Sequence, residues 1–208
     1  MLTGRCWQAA RAFCSVDSRR KKILIVWHSR TGMAESMSRA LERGARSCVE
    51  EMNSLCEDDG DEVDIIRKRA STVGVEDLRS SDGYLFCAPE NLASTSGEML
   101  EFFHRCYYPL FDVSDVNNPS STKYNEISSI LGRPYGIAVA AGSDGSAAAN
   151  QMKRICTGWR LAPVQEPIVI QNGLTQSAGN ILRKKDCSDK AIEQCEELGG
   201  LLAATLLL

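Results

Sequence analysis

Three short stretches carry the residue types that could hold or transform a ligand. The first is Ser29-Arg30-Thr31-Gly32, two hydroxyls, a guanidinium and a glycine set between a short apolar run and the start of a helical pattern. A helix leaves its first amides unpaired and turns the positive end of its dipole toward whatever precedes it, so this spacing is an anion-binding geometry. Ser29 and Thr31 would add hydroxyl donors to a phosphate, and Arg30 a counter-charge. The second stretch is Pro89-Glu90-Asn91-Leu92-Ala93-Ser94, and the third is Ala141-Gly142-Ser143-Asp144-Gly145-Ser146. Both offer small residues and free amides against which a flat ring could lie.

Competing chemistries find less support. No Gly-x-Gly-x-x-Gly follows the first apolar run and no Gly-Lys-Ser/Thr occurs, which argues against a Rossmann dinucleotide site and a P-loop nucleotidase. Cys87-Ala88-Pro89 stands where a phospho-receiver domain needs an aspartate. The third stretch is one glycine short of a hydrolase nucleophile elbow. With His28 and His104 as the only histidines, Ser143 makes a poor nucleophile. The nine cysteines (Cys6, Cys14, Cys48, Cys56, Cys87, Cys106, Cys156, Cys187 and Cys195) form no Cys-x-x-Cys. Several fall on apolar faces, which predicts thiols acting as small hydrophobes in a reducing compartment. His104-Arg105-Cys106 alone does not build a zinc site, and no metal is expected.

The elements that must position these stretches follow from hydrophobic period. Ile23 to Val26 is a continuous β-branched run, the pattern of a strand covered on both faces. Met33, Met37, Ala40, Leu41, Ala45, Cys48 and Met52 then recur at helical spacing. The acidic run 57–61 reads as a solvated turn before a strand at 63–66, and 75–78 as one helical turn before a third strand at 83–88. Pro89 should end that strand, since proline lacks the ladder donor. A helix is predicted from Thr95, with Glu98 completing a capping box and Met99, Phe102, Phe103 and Cys106 buried. Residues 111–132 are polar and turn-rich around Asn117 and Pro119, and read as a long excursion. A fourth strand at 135–141, a helix at 147–157, a fifth strand at 167–170 and a final helix from Ser188 complete the series. Strands alternating with helices imply a doubly wound parallel sheet, whose ligands bind at the carboxyl edge. All three stretches lie on that edge.

Composition sets the outer bounds. A chain of 208 residues suits one α/β domain, or one domain with a leader. Residues 1–22 hold six Arg/Lys against Asp17 alone, so the net charge of -3 leaves about -8 on the rest and disfavours a nucleic-acid partner. Residues 1–21 read as an N-terminal extension or as an organelle transit peptide, and 22–208 as the folded domain. The location is then intracellular, mitochondrial if the leader directs it there and cytoplasmic if not. The apolar 198–208 run is too short to span a bilayer and reads as a buried helix.

The same stretches carry a family resemblance. Ser-Arg-Thr-Gly-Met-Ala resembles the phosphate loop of flavodoxin-like proteins. Gly83-Tyr84-Leu85-Phe86-Cys87-Ala88-Pro89-Glu90-Asn91, followed by Ser96-Gly97-Glu98-Met99, is similar to their NAD(P)H-dependent FMN reductase and quinone reductase branch. Ala-Gly-Ser-Asp-Gly-Ser followed by Thr157-Gly158-Trp159-Arg160-Leu161 extends the likeness, which covers about 22–173. The resemblance implies a flavodoxin-like α/β fold: a doubly wound five-stranded parallel sheet, order 2-1-3-4-5, with helices on both faces. It implies FMN as cofactor, its phosphate at Ser29, Arg30, Thr31, Gly32, Met33 and Ala34. The ring would lie against Pro89, Glu90, Asn91 and Leu92 and against Gly142, Ser143, Asp144 and Gly145. The branch commonly has an aromatic residue just after Pro-Glu, where this chain has Asn91-Leu92. The function implied is hydride transfer from NAD(P)H through FMN to a quinone or other small acceptor, the chemistry residing on the flavin. Two alternatives stay open: an electron carrier of flavodoxin type that docks a redox partner protein, and a flavin-free binding module of the same fold. A homodimer is a further expectation of the resemblance.

Overall fold

A computed structural model describes residues 20–54, 63–111 and 128–208. The 57–61 run, Asn117, Pro119, Cys6, Cys14, Cys56 and residues 1–19 lie outside the described residues. In chain order the elements are β1 (Lys21–Trp27), α1 (Met33–Ser54), β2 (Val63–Arg69), α2 (Val75–Arg79), β3 (Gly83–Asn91), β4 (Ser94–Thr95) and α3 (Gly97–Tyr107). There follow β5 (Pro134–Ala141), α4 (Ser146–Gly158), β6 (Ala162–Pro163), β7 (Ile168–Gln171), α5 (Ala178–Leu182) and α6 (Asp189–Leu207).

The frame is the parallel series β2-β1-β3-β5-β7, which is the expected order of five strands. The last of these is split. β6 pairs with the start of β5 at Pro134 and Tyr135, and β7 pairs with its end at residues 138–141. Strand β1 shows why both faces must be covered. Leu24 and Val26 pack with Phe86, Phe102, Tyr135 and Trp159 on one side, while Ile23, Ile25 and Trp27 pack with Met37, Leu41, Leu198 and Leu202 on the other. The period of two has turned one apolar run into two cores. Phe86 centres the first, with Phe103 at 5.2 Å and Trp159 edge-on at 6.4 Å.

Helices α1 and α6 lie side by side on the second face, in backbone contact. A Cβ on Gly44 would stand 1.9 Å from the Glu196 carbonyl oxygen, and one on Gly199 would stand 2.1 Å from that of Leu41. Only glycine permits so close a crossing. The final helix starts where expected, and Ser188 is its N-cap, the side chain accepting from the Ala191 amide. Among the described residues no helix is long and apolar enough to cross a membrane. Cys87, Cys106, Cys156 and Cys195 are buried free thiols inside the two cores.

Two expectations are corrected. Strand β3 does not stop at Pro89 but runs through it to Asn91, with Pro89 opposite Ala140. In an extended strand alternate residues turn their backbone groups to the same side. The Cys87 carbonyl accepts from the His28 amide, and the Pro89 carbonyl from the Ser96 amide, both at 3.0 Å. The missing donor of Pro89 therefore faces the side on which β1 has already ended, and no ladder bond is lost. The capping box also fails. Thr95 belongs to β4, paired with Glu90, and Ser96 is the N-cap of α3 without a side-chain cap bond. The β3–β4 hairpin has claimed the residues that local spacing assigned to the helix.

Candidate functional site

The three stretches come together at the carboxyl edge of β1, β3 and β5. In the first loop the Gly32 carbonyl accepts from the Ser36 amide at 2.9 Å, which opens α1. The amides of Met33, Ala34 and Glu35 are thus first-turn donors with no intrahelical partner. Ser29 Oγ accepts from the Gly32 amide at 3.0 Å, tightening the loop. The side chains of Met33 and Ala34 are buried in the core, so those two residues could offer a ligand only their backbone. Arg30 is exposed, and Glu35 is paired with Arg39 at 2.6 Å.

The second loop is a hairpin. Its turn residues Leu92 and Ala93 have φ of 53° and 57°, a left-handed pair that such turns usually fill with Asn and Gly. Leu92 is 101% exposed, an apolar side chain wholly in water at the tip. Behind the tip, Gln151 of α4 accepts from Ser94 Oγ at 2.9 Å and from the Thr95 amide at 2.8 Å. The third loop opens α4, with Gly145 at φ 77° as its N-cap. Its amide donates to Glu90 Oε2 at 3.1 Å, so one carboxylate fixes the second loop against the third. Gly142 is half-buried, while Ser143 and Asp144 are exposed.

A buried polar set joins the first loop to the second and was not singled out by sequence. His28, 5% exposed, places Nδ1 2.7 Å from Ser96 Oγ and Nε2 3.6 Å from Glu98 Oε2. Burial holds the His28 imidazole below its ordinary pKa; Glu98 pulls it up and Arg30 and Arg69 push it down. The set has the composition of a serine–histidine–acid arrangement, but Ser96 is 0% exposed and cannot meet a substrate. It ties the end of β1 to the start of α3. Glu98 Oε1 and Thr95 Oγ1 beside it are buried without a hydrogen-bond partner.

A second group absent from the sequence reading is the connection from β7 to α6. Gln176 lies against Gly142, and the Lys185 amide donates to the Thr31 carbonyl at 2.7 Å. No local signal tells that a polar stretch so far along the chain returns to the end of β1. Among the described residues no three His, Cys, Asp or Glu side chains gather as metal ligands; Cys106 is in the core and His104 is exposed. A concavity of about 640 Å³ lies at the opposite, amino edge of the sheet, where it is lined by Lys21, Asp82, Pro134 and Leu206. It offers no nucleophile with a base and no helix start for an anion. The carboxyl edge is the chemically equipped one: it can bind an anion at the first loop and a flat group near the other two.

Known structures of this architecture agree with one another. A flavodoxin from the domain Archaea superposes with a TM-score of 0.59 at 14% identity, over 89% of this chain and 98% of that one. A flavodoxin of Streptococcus pneumonia TIGR4 gives 0.59 at 16%, over 88% and 99%. A WrbA-like flavodoxin from Agrobacterium tumefaciens gives 0.60 at 12%, over 89% and 96%. No protein-family model matches the chain, and no curated protein does. At such identities the likeness establishes a flavodoxin-like fold and nothing finer.

Proposed function

We propose that the carboxyl edge binds FMN and that the protein is an NAD(P)H-dependent oxidoreductase, passing electrons to a quinone or another small acceptor. The observation that carries this reading is the convergence of an amide- and hydroxyl-lined helix start with two small-residue loops on one sheet edge. The residues fit a phosphate. Gly32, at φ 100°, lets the chain turn into α1, and Ser29 and Thr31 stand beside the first-turn amides. The acid of that turn is neutralised by Arg39. Ser29, Arg30, Thr31, the turn at Gly32 and the amides of Met33 and Ala34 would hold the phosphate. Pro89, Glu90, Asn91 and Leu92 with Gly142, Ser143, Asp144 and Gly145 would border the ring.

FMN, when bound, supplies the hydride and electron chemistry. The chain's own part is to orient and shelter. Glu90 keeps the second and third loops at a fixed separation through the Gly145 amide. The His28–Ser96–Glu98 set holds the first loop to the hairpin. No side chain at the edge is assigned as acid or base.

The comparison proteins include flavodoxins and a WrbA-like protein. A second reading, a carrier that docks a redox partner, is favoured by the hairpin tip: Leu92 is wholly exposed and no aromatic residue stands there to stack a nicotinamide. Reconstitution with FMN followed by absorption spectroscopy tests the cofactor, and oxidation of NADH or NADPH with quinone and dye acceptors tests the enzyme. Flavin uptake without nicotinamide oxidation would leave the carrier reading standing; failure to take up FMN would refute both.

A further inference from the structure

The connection between β7 and α6 crosses the candidate edge from the third loop to the first. Its near end puts the Gln176 amide group 2.6 Å from where a Cβ on Gly142 would stand. Its far end grips three consecutive residues of the phosphate loop. The Lys185 amide donates to the Thr31 carbonyl at 2.7 Å. The Lys185 carbonyl oxygen lies 3.1 Å from the place of a Cβ on Gly32. Cys187 Sγ approaches the Met33 carbonyl at 3.5 Å. Between these contacts the Lys184 side chain is laid along Gly32, its Cγ and Cε 3.6 and 3.8 Å from that same Cβ place.

This is an unfavourable place for a lysine. The N-terminus of α1, a 22-residue helix, carries a positive partial charge that repels cations. Arg30 already stands in the loop. Neither Arg30 nor Lys184 forms an ion pair with a carboxylate among the described residues, and Glu35, the acid of the first turn, is taken by Arg39. Lys185 differs, since its Nζ donates to the carbonyls of Ile181 and Arg183 at 2.9 and 3.3 Å and so closes the end of α5. Both side chains are exposed at a positive helix end, so an anion bound between them would draw on both charges.

We infer that Lys184 is a phosphate-binding residue, brought by the β7–α6 connection to the anion site of the first loop, and that it makes the site selective for a phosphorylated mononucleotide over its dephosphorylated form. The inference rests on the flavin reading and deepens it. The backbone clamp through Lys185 and Cys187 positions the lysine, and Lys184 supplies the charge.

The test is titration of the full chain, prepared free of flavin, with FMN and with riboflavin, followed by flavin fluorescence at 50 and 200 mM salt (roughly the range over which phosphate contacts lose strength). The variants are Lys184→Ala, Lys184→Arg and Lys185→Ala, each checked for unchanged melting temperature. A charge-assisted hydrogen bond lost from a phosphate should weaken FMN about tenfold. Lys184→Ala is expected to show that loss, leave riboflavin affinity unchanged and reduce the salt dependence. Lys184→Arg should restore most of the affinity, and Lys185→Ala should stay within about twofold of the parent, since its backbone clamp remains. Lys184→Ala binding FMN as tightly as the parent overturns the inference and leaves the flavin reading intact. Equal losses for FMN and riboflavin also overturn it, because the lysine would then act on the fold of the connection. A parent chain that binds neither flavin refutes the underlying reading, and this inference with it.

Discussion

Adjacent glycines on α6 should respond to alanine in opposite directions. Gly199 faces α1, where a new Cβ would stand 2.1 Å from the Leu41 carbonyl oxygen, 2.9 Å from the Leu41 carbonyl carbon and 3.0 Å from the Ala45 amide nitrogen. All three are backbone atoms of a well-packed helix, so no rotamer change can make room. A carbon–oxygen approach normally closes at about 3.3 Å, so the helices must part by roughly 1 Å. Parting them loosens Leu41, Ala45, Leu198 and Leu202, which share that core. Overpacking of this kind costs about 1–3 kcal/mol. The gain from replacing a helical glycine returns about 1 kcal/mol. With a rigid backbone as the obstacle the upper part of the range applies, and Gly199→Ala should lose about 2 kcal/mol. For a chain of this size that lowers the melting temperature by about 4–8 °C. Gly200 has the Gly44 carbonyl oxygen at 3.5 Å and the Cys48 Cβ at 3.7 Å, ordinary contacts. Gly200→Ala should therefore raise the melting temperature by about 2–4 °C. Thermal unfolding followed by circular dichroism reads both. A Gly199→Ala variant as stable as the parent would refute the backbone-contact argument, as would equal losses at the two positions.

Three other expectations concern the edge and the cores. Thr31→Glu puts a carboxylate in the proposed phosphate site and should reduce FMN uptake at least tenfold with the melting temperature held within a few degrees; equilibrium dialysis against FMN checks it, and unchanged affinity contradicts the assignment. His28 is held below its ordinary 6.5, chiefly by burial, so the unfolded chain takes up this proton before the folded one. Its contribution to stability is then complete above about pH 6.5 and drains away as pH falls toward the folded-state value, and His28→Gln should flatten that limb of a urea-denaturation series. Burial raises the thiols of Cys87, Cys106, Cys156 and Cys195, the last to about 12. Iodoacetamide at pH 8 should leave these four unmodified in the native protein and label them in urea, as read site by site by mass spectrometry.

Much of the frame was legible because its signals are local. The run from Ile23 to Val26, the stripe from Met33 to Ala45, and Met99, Phe102, Phe103 and Cys106 of α3 all occupy the faces their spacing predicts. Ser188 marks the start of α6 by a cap that needs only three residues to recognise. The failures share a cause in tertiary pairing. Pro89 is harmless within β3 only because β1 ends beside it, and Thr95 is lost to the helix only because Glu90 pairs with it. The turn at Leu92 and Ala93 contains no glycine to announce its left-handed backbone. At the site, the three loops could be placed on one edge from topology. The His28–Ser96–Glu98 set and the approach of Lys184 to Gly32 could not, since they join residues far apart in sequence that carry no matching pattern.

The grip of Cys187 on Met33 joins residues 154 positions apart. A ribosome adding about 5–20 residues per second needs roughly 8–30 s to make that interval. During it the first loop has been made, with the residues of its strand and helix, but without the connection that lies across it or the helix that packs beside α1. A growing chain would therefore meet the proposed FMN through a loop held on one side only, and would acquire its full hold in a single late step once α6 has emerged. Time-resolved binding to stalled nascent chains, ended before and after α6, would show that step as a jump in affinity.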